Sequence, residues 1–296
     1  MDILTSPRLL RRLTIANLVA NMVIIWTGAL VRLTGSGLAC STWPECEPGS
    51  YVPTPEQGLH TYIEFGNRLL TFVLAGIALA TAIVAWRAFR RGTAPLRLFE
   101  LAIGVGLGII AQAVIGGVSV RTQLDPWVVG LHMVASVALI LITLEMVRLA
   151  HGWEPTLASG PLYALTRLTV LLGMVVVALG VVVTGSGPHS GDGAATRNGF
   201  DPEFTSKIHA WAVWVLIALT LIGLFLAWSN ARLRNAWLVL LATELLQGVI
   251  GYVQYFLHLP MLLVLGHMIG TTLFVVALGH VWNSTTHVGA RTPLPA

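Results

Sequence analysis

Gln112-Ala113-Val114-Ile115-Gly116 is followed by His132, and Gln247-Gly248-Val249-Ile250-Gly251 is followed by His267. Both pairs are 135 positions apart, so each glutamine stands 20 residues before its histidine. Thr34-Gly35-Ser36-Gly37 recurs in the same order as Thr184-Gly185-Ser186-Gly187. The second match alone would be weak, since such residues commonly end helices. Two matches in one order read as an internal duplication.

The chain around these repeats is apolar. Of 296 residues, 55% are hydrophobic and 10% charged, too few charges to clothe a soluble globule. A helix needs about 20 mostly apolar residues to cross a membrane. Eight such stretches lie near 13–34, 67–86, 98–119, 127–147, 163–184, 207–228, 236–257 and 261–282. The first is too long and evenly apolar for a cleaved signal, and reads as helix one. Each repeat holds four helices, an even number, so the halves insert in the same orientation about an axis along the membrane normal. The expected fold is an all-α integral membrane protein of eight transmembrane helices in two pseudo-symmetric four-helix bundles, 1–155 and 156–296.

Orientation follows from arginine, because basic residues of short loops stay cytoplasmic. Arg8, Arg11, Arg12, Arg87, Arg90, Arg91, Arg97, Arg148, Arg167, Arg232, Arg234 and Arg291 fall on the side of the termini, twelve of the seventeen Lys and Arg. The opposite loops carry Glu45, Glu47, Glu56, Asp125, Asp192, Asp201 and Glu203. Both termini are therefore expected in the cytoplasm, in a multi-pass protein of the plasma membrane. The net charge of +4 reflects this asymmetry and requires no nucleic acid.

Cys40 and Cys46 fall in the first external loop, where an oxidising compartment permits a disulfide. Two free thiols against Trp43 are the plain alternative. A zinc site would need about four ligands, and no third Cys or His precedes His60.

Ionisable side chains inside a membrane are costly and usually face a bundle interior. His132 and His267 each sit about five residues into an apolar stretch, roughly 7 Å below its external end, and His209 opens helix six at similar depth. His60, Glu64, Asn67 and Arg68 begin helix two, with Glu64, Asn67 and Arg68 near one face. Histidines projecting inward from facing helices suit the two axial positions of haem, and the C-terminal half supplies His209 and His267. The N-terminal half offers His132 but has Asn67 where a partner is expected, with His60 two turns away as a substitute. Glu64 either meets positive charge or a proton in the site, or simply pairs with Arg68. Arg32, Arg68 and Arg121, at the external ends, would meet either haem propionates or lipid headgroups. Glu244, Gln247 and Gln112 read as interhelical glue. His151, His189, His258, His280 and His287 read as solvated or interfacial.

Together these residues resemble the haem A synthase family, over nearly the whole chain. The resemblance rests on Gly28-Ala29-Leu30-Val31-Arg32-Leu33-Thr34-Gly35-Ser36-Gly37-Leu38 leading into the Cys40 to Cys46 loop, on Ile63-Glu64-Phe65-Gly66-Asn67-Arg68, and on His132, His209 and His267. It implies an oxidoreductase that converts the ring methyl of haem O to the formyl group of haem A. It implies haem b between His209 and His267, and substrate haem O near His132 and Glu64 with the cysteine pair close by. It also implies haem O synthase and cytochrome oxidase assembly as partners, beside membrane lipid and an unidentified electron donor. Asn67 departs from the family pattern, which has histidine there.

Two other classes compete. A dihaem electron-transfer protein would place ligand pairs at two depths, whereas every candidate here lies in one layer. A transporter would use broken helices near the midplane, and Glu244 is the feature that supports it.

Overall fold

The computed structural model describes residues 6–54 and 58–287. Glu56 and Arg291, used above for orientation, lie outside the described residues. The eight expected spans are helices α1 (Pro7–Leu33), α2 (Gly58–Arg90), α3 (Leu96–Arg121), α4 (Pro126–His151), α5 (Gly160–Ser186), α6 (Pro202–Leu226), α7 (Ala231–Phe256) and α8 (Met261–Ser284). Each is long and apolar enough to cross a membrane, and the chain is an all-helical eight-span membrane protein.

The helices outrun the apolar stretches because polar residues fix their ends. Asp125 caps α4 by accepting from Trp127 N at 2.9 Å and Val128 N at 3.2 Å. Asp201 caps α6 through Phe204 N at 2.6 Å, and Asn230 caps α7. Such caps satisfy donors that a helix start leaves open. Pro7, Pro126 and Pro202 occupy first-turn positions, where a missing N–H costs nothing. The largest extension beyond an apolar stretch is in α2, where His60 and Glu64 are helical, as their reading at the start of helix two expects.

Each of α1 to α4 packs on the next and α4 returns to α1; α5 to α8 close a second ring in the same way. Between the rings α4 meets α8, α1 meets α8 and α4 meets α5. The tight turns inside the rings share one backbone pattern. Gln123 and Leu124 join α3 to α4 with φ of 53° and 59°, and His258 and Leu259 join α7 to α8 with φ of 59° and 62°. Leu124 N reaches Ser119 O at 2.8 Å, and Leu259 N reaches Gln254 O at 2.7 Å. Left-handed φ is uncommon for residues other than glycine, and here it occurs twice running at both of these turns.

The packed cores lie toward the face that carries the termini. Leu74, Ala78, Ala82, Ala85 and Ala88 of α2 meet Leu98, Ala102, Val105 and Ile109 of α3 in one cluster. Small residues let these helices approach closely where lipid supplies no hydrophobic drive between them. The second cluster centres on Trp237, Leu240, Val275 and Leu278 and draws in Met22, Ile25, Val137 and Ile140 from the first ring. On the same face Thr156–Leu157 pairs in parallel with Thr285–Thr286, and Arg167 stacks over Trp282 at 3.6 Å. Toward the opposite face, which carries the cysteine loop, the rings hold a cavity instead of a core.

A cavity lined by three histidines

This cavity has a volume of about 1540 Å³ and is continuous between the rings. His132, Asn67, Glu64, Arg32 and Arg68 line one part; His209, His267, Glu244 and Gln247 line another.

Each histidine lies within the first two turns of its helix and leans on a glycine of a neighbouring helix. A Cβ added at Gly116 would stand 3.4 Å from His132 Cε1, one at Gly251 3.4 Å from His267 Cε1, and one at Gly180 3.3 Å from His209 Cε1. A methyl group there would just reach van der Waals contact with each ring, so the glycines let the imidazoles pack close against the neighbouring helix.

Glutamines fix the backbone beneath two of them. Gln112 Nε2 donates to His132 O at 3.0 Å and to Ser136 Oγ, and Gln247 Nε2 donates to His267 O at 2.9 Å and to Thr271 Oγ1 at 3.1 Å. The two arrangements match atom for atom. Nδ1 of His132 and Nδ1 of His267 are both buried without a partner among the described residues. A buried polar atom in that state costs about 1–3 kcal/mol, and its retention points to a site that a ligand completes. His209 differs, because its Nδ1 pairs with Val176 O at 3.1 Å. With Nδ1 as the donor, Nε2 keeps its lone pair for a metal, the usual way a ligating histidine is oriented.

The donor set fits haem. His209 of α6 and His267 of α8 line the same cavity, and their two imidazoles would hold a haem iron. In the first ring His132 stands with Asn67, whose Oδ1 accepts from Thr27 Oγ1 at 2.7 Å. One ligand is therefore available there.

The roof over this part is the cysteine loop. Cys40 and Cys46 are joined by a disulfide and buried. Both Glu64 oxygens are engaged: Oε2 accepts from Cys40 N at 2.7 Å and Oε1 pairs with Arg68. Arg68 also donates to Thr42 O at 3.0 Å and Glu45 O at 3.2 Å. Arg121 lies outside the cavity wall and holds Trp43 O at 3.0 Å, while the Trp43 ring packs on Gly117.

The three arginines read from the sequence as propionate or headgroup partners thus spend donors on backbone carbonyls of other segments. Arg32 crosses between rings to Thr184 O at 2.7 Å and to His189 O. His189, expected as a solvated or interfacial residue, donates from Nε2 to Leu259 O, 3.0 Å away. His60 turns to Ser36 Oγ at 2.8 Å and is outside the cavity wall. These partners lie far apart in sequence, so no local spacing announces them.

The chain is similar to proteins named heme A synthase from several bacteria. It is 25% identical to that of Staphylococcus epidermidis, over 83% of this chain and 85% of the relative. It is 26% identical to that of Symbiobacterium thermophilum, over 96% and 97%. A shorter match to that of Geobacillus kaustophilus reaches 34% over 37% of this chain and 33% of the relative. The family model COX15-CtaA, cytochrome oxidase assembly protein, matches residues 11–279, and the chain belongs to that family.

Proposed function

We propose that this protein is a haem A synthase, an oxidoreductase that converts the ring methyl of haem O to the formyl group of haem A for cytochrome oxidase. The observation that carries this reading is the asymmetry of one cavity, lined by two histidines from the second ring and by one histidine and Asn67 from the first. A permanent cofactor gains from two ligands, whereas a substrate that must leave is better held by one.

Residues 156–296 would hold haem b through His209 and His267, and residues 1–155 would take haem O through His132. When bound, haem b supplies one-electron redox chemistry. Glu64 would meet positive charge at the edge of the substrate site, and its bonds to Cys40 N and Arg68 keep the disulfide loop closed over that site. Repetition of the glutamine clamp and of the left-handed turn supports a duplicated origin for the two units. The arginine distribution supports cytoplasmic termini and an external cysteine loop in the plasma membrane. Haem O synthase and an electron donor are the expected partners.

Extraction and chromatography of the bound haems, beside the optical spectrum of His267→Ala, tests this. Haem b with haem O or haem A, and loss of the haem b signal in the variant, is the expected result. Haem b alone in two equivalent sites would favour simple electron transfer, and absence of haem would overturn the reading.

A further inference from the structure

Glu244 is 2% exposed on α7 and lines the cavity at the two-histidine end. Its Oε1 accepts from Thr220 Oγ1 at 2.8 Å, and its Oε2 is buried with no partner among the described residues. No cation pairs with it among the described residues. α7 packs against α6 and α8. On α6 the charged or titratable side chains are Glu203, Lys207 and His209, all in the first two turns, and Lys207 pairs with Glu203. On α8 they are His267 and His280, toward opposite ends. On α7 itself Arg232 and Arg234 lie at its start and Tyr252 and Tyr255 at its close.

Glu244 is set back from the histidines. Thr220 lies eleven residues beyond His209, roughly 16 Å along α6. On the other side Gln247, one turn nearer the cysteine-loop face, is the residue that holds the His267 carbonyl. A carboxyl in such a place has its charge governed by what occupies the cavity, because lipid and packed side chains screen poorly.

Resting on the haem b reading above, we propose that Glu244 is the proton-carrying group of the two-histidine site. Its Oε2 takes up one proton from solvent water entering the cavity when the site receives one electron from a one-electron donor, and returns that proton to water when the electron leaves. The proton balances the added charge, and Thr220 keeps the other oxygen oriented. Two unit charges about 16 Å apart at an effective dielectric constant of about 20 alter proton affinity about sixfold.

Spectroelectrochemical titration of the purified holoprotein between about pH 5 and 9 tests this. At about 59 mV per tenfold for one electron, a sixfold change in proton affinity converts to about 45 mV, so the midpoint should fall by that total as pH rises. Glu244→Gln should lose this fall; the haem's own carboxylates titrate in both proteins, so the difference is the readout. An oxidised-minus-reduced infrared spectrum should contain a carboxylic C=O band that Glu244→Gln lacks. Equal falls, or a band retained in the variant, would overturn the proposal. If Glu244→Gln does not accumulate, Thr220→Val serves: it should move the pH window, and an unmoved window overturns the proposal. A preparation without histidine-ligated haem would instead defeat the reading beneath it.

Discussion

Gln247 and His267 are joined through the backbone: the glutamine amide on α7 donates to the histidine carbonyl on α8 at 2.9 Å. The bond fixes the height and rotation of α8 at the residue that faces the cavity, without touching the imidazole. Groups that orient a ligand typically matter about 10- to 100-fold in affinity. Gln247→Leu is therefore expected to weaken haem b retention roughly tenfold and to disturb its low-spin spectrum. Gln112→Leu, in the other ring, should leave that spectrum alone. Equal disturbance by both variants would mean that the amides act only as general packing.

Asn67 marks the difference between the two ends of the cavity. Its carboxamide accepts from Thr27 on α1, much as His209 pairs with Val176 on α5. Asn67→His would supply a second imidazole at a position already held by a neighbouring helix. The expected outcome is a second low-spin haem signal together with slower product release. An unchanged electron paramagnetic resonance spectrum would place residue 67 too far from the iron of the substrate.

Much of this arrangement is legible in the sequence because lipid imposes a simple rule: spans are long and apolar, and ionisable residues within them face inward. That rule exposes all eight helices and sets apart His132, His209 and His267. It does not expose the partners of Arg32, Arg68 and Arg121, because a guanidinium at a helix end reads the same whether it meets a headgroup, a propionate or a carbonyl. Arg32 finds Thr184, 152 positions away, and only the folded rings bring them together. Nor does hydropathy mark the start of α2, since His60 and Glu64 interrupt the apolar run while remaining helical.

Glu64 and Arg68 form a largely buried pair, with side chains 7% and 19% exposed. Removing one member leaves the other uncompensated, which for buried pairs costs about 3–5 kcal/mol; the residual exposure of Arg68 sets the expectation near the lower end. Arg68→Ala also frees the carbonyls of Thr42 and Glu45. The thermal midpoint in detergent should drop, and the Cys40–Cys46 disulfide should react faster with an added thiol. Adding Glu64→Gln to Arg68→Ala should recover part of the stability. No recovery in the double variant would show that loop anchoring, rather than charge pairing, carries the cost.

Stability away from the cavity hinges on Gly223, where an added methyl group would run into the ring of Trp237. Trp237 is fully buried on α7 and among the largest side chains of the second core, so the ring has nowhere to withdraw. Overpacking of this kind typically costs about 1–3 kcal/mol, and Gly223→Ala should lower the thermal midpoint accordingly. Gly223 lies fourteen residues beyond His209 on α6, roughly 21 Å along the helix, so the haem spectrum of the folded fraction should stay as it is. Pairing Gly223→Ala with Trp237→Phe makes room for the methyl group while removing the indole. The double variant should then be destabilised by less than the sum of the two single changes, and strict additivity would mean that α6 moves away from α7 instead of compressing against it.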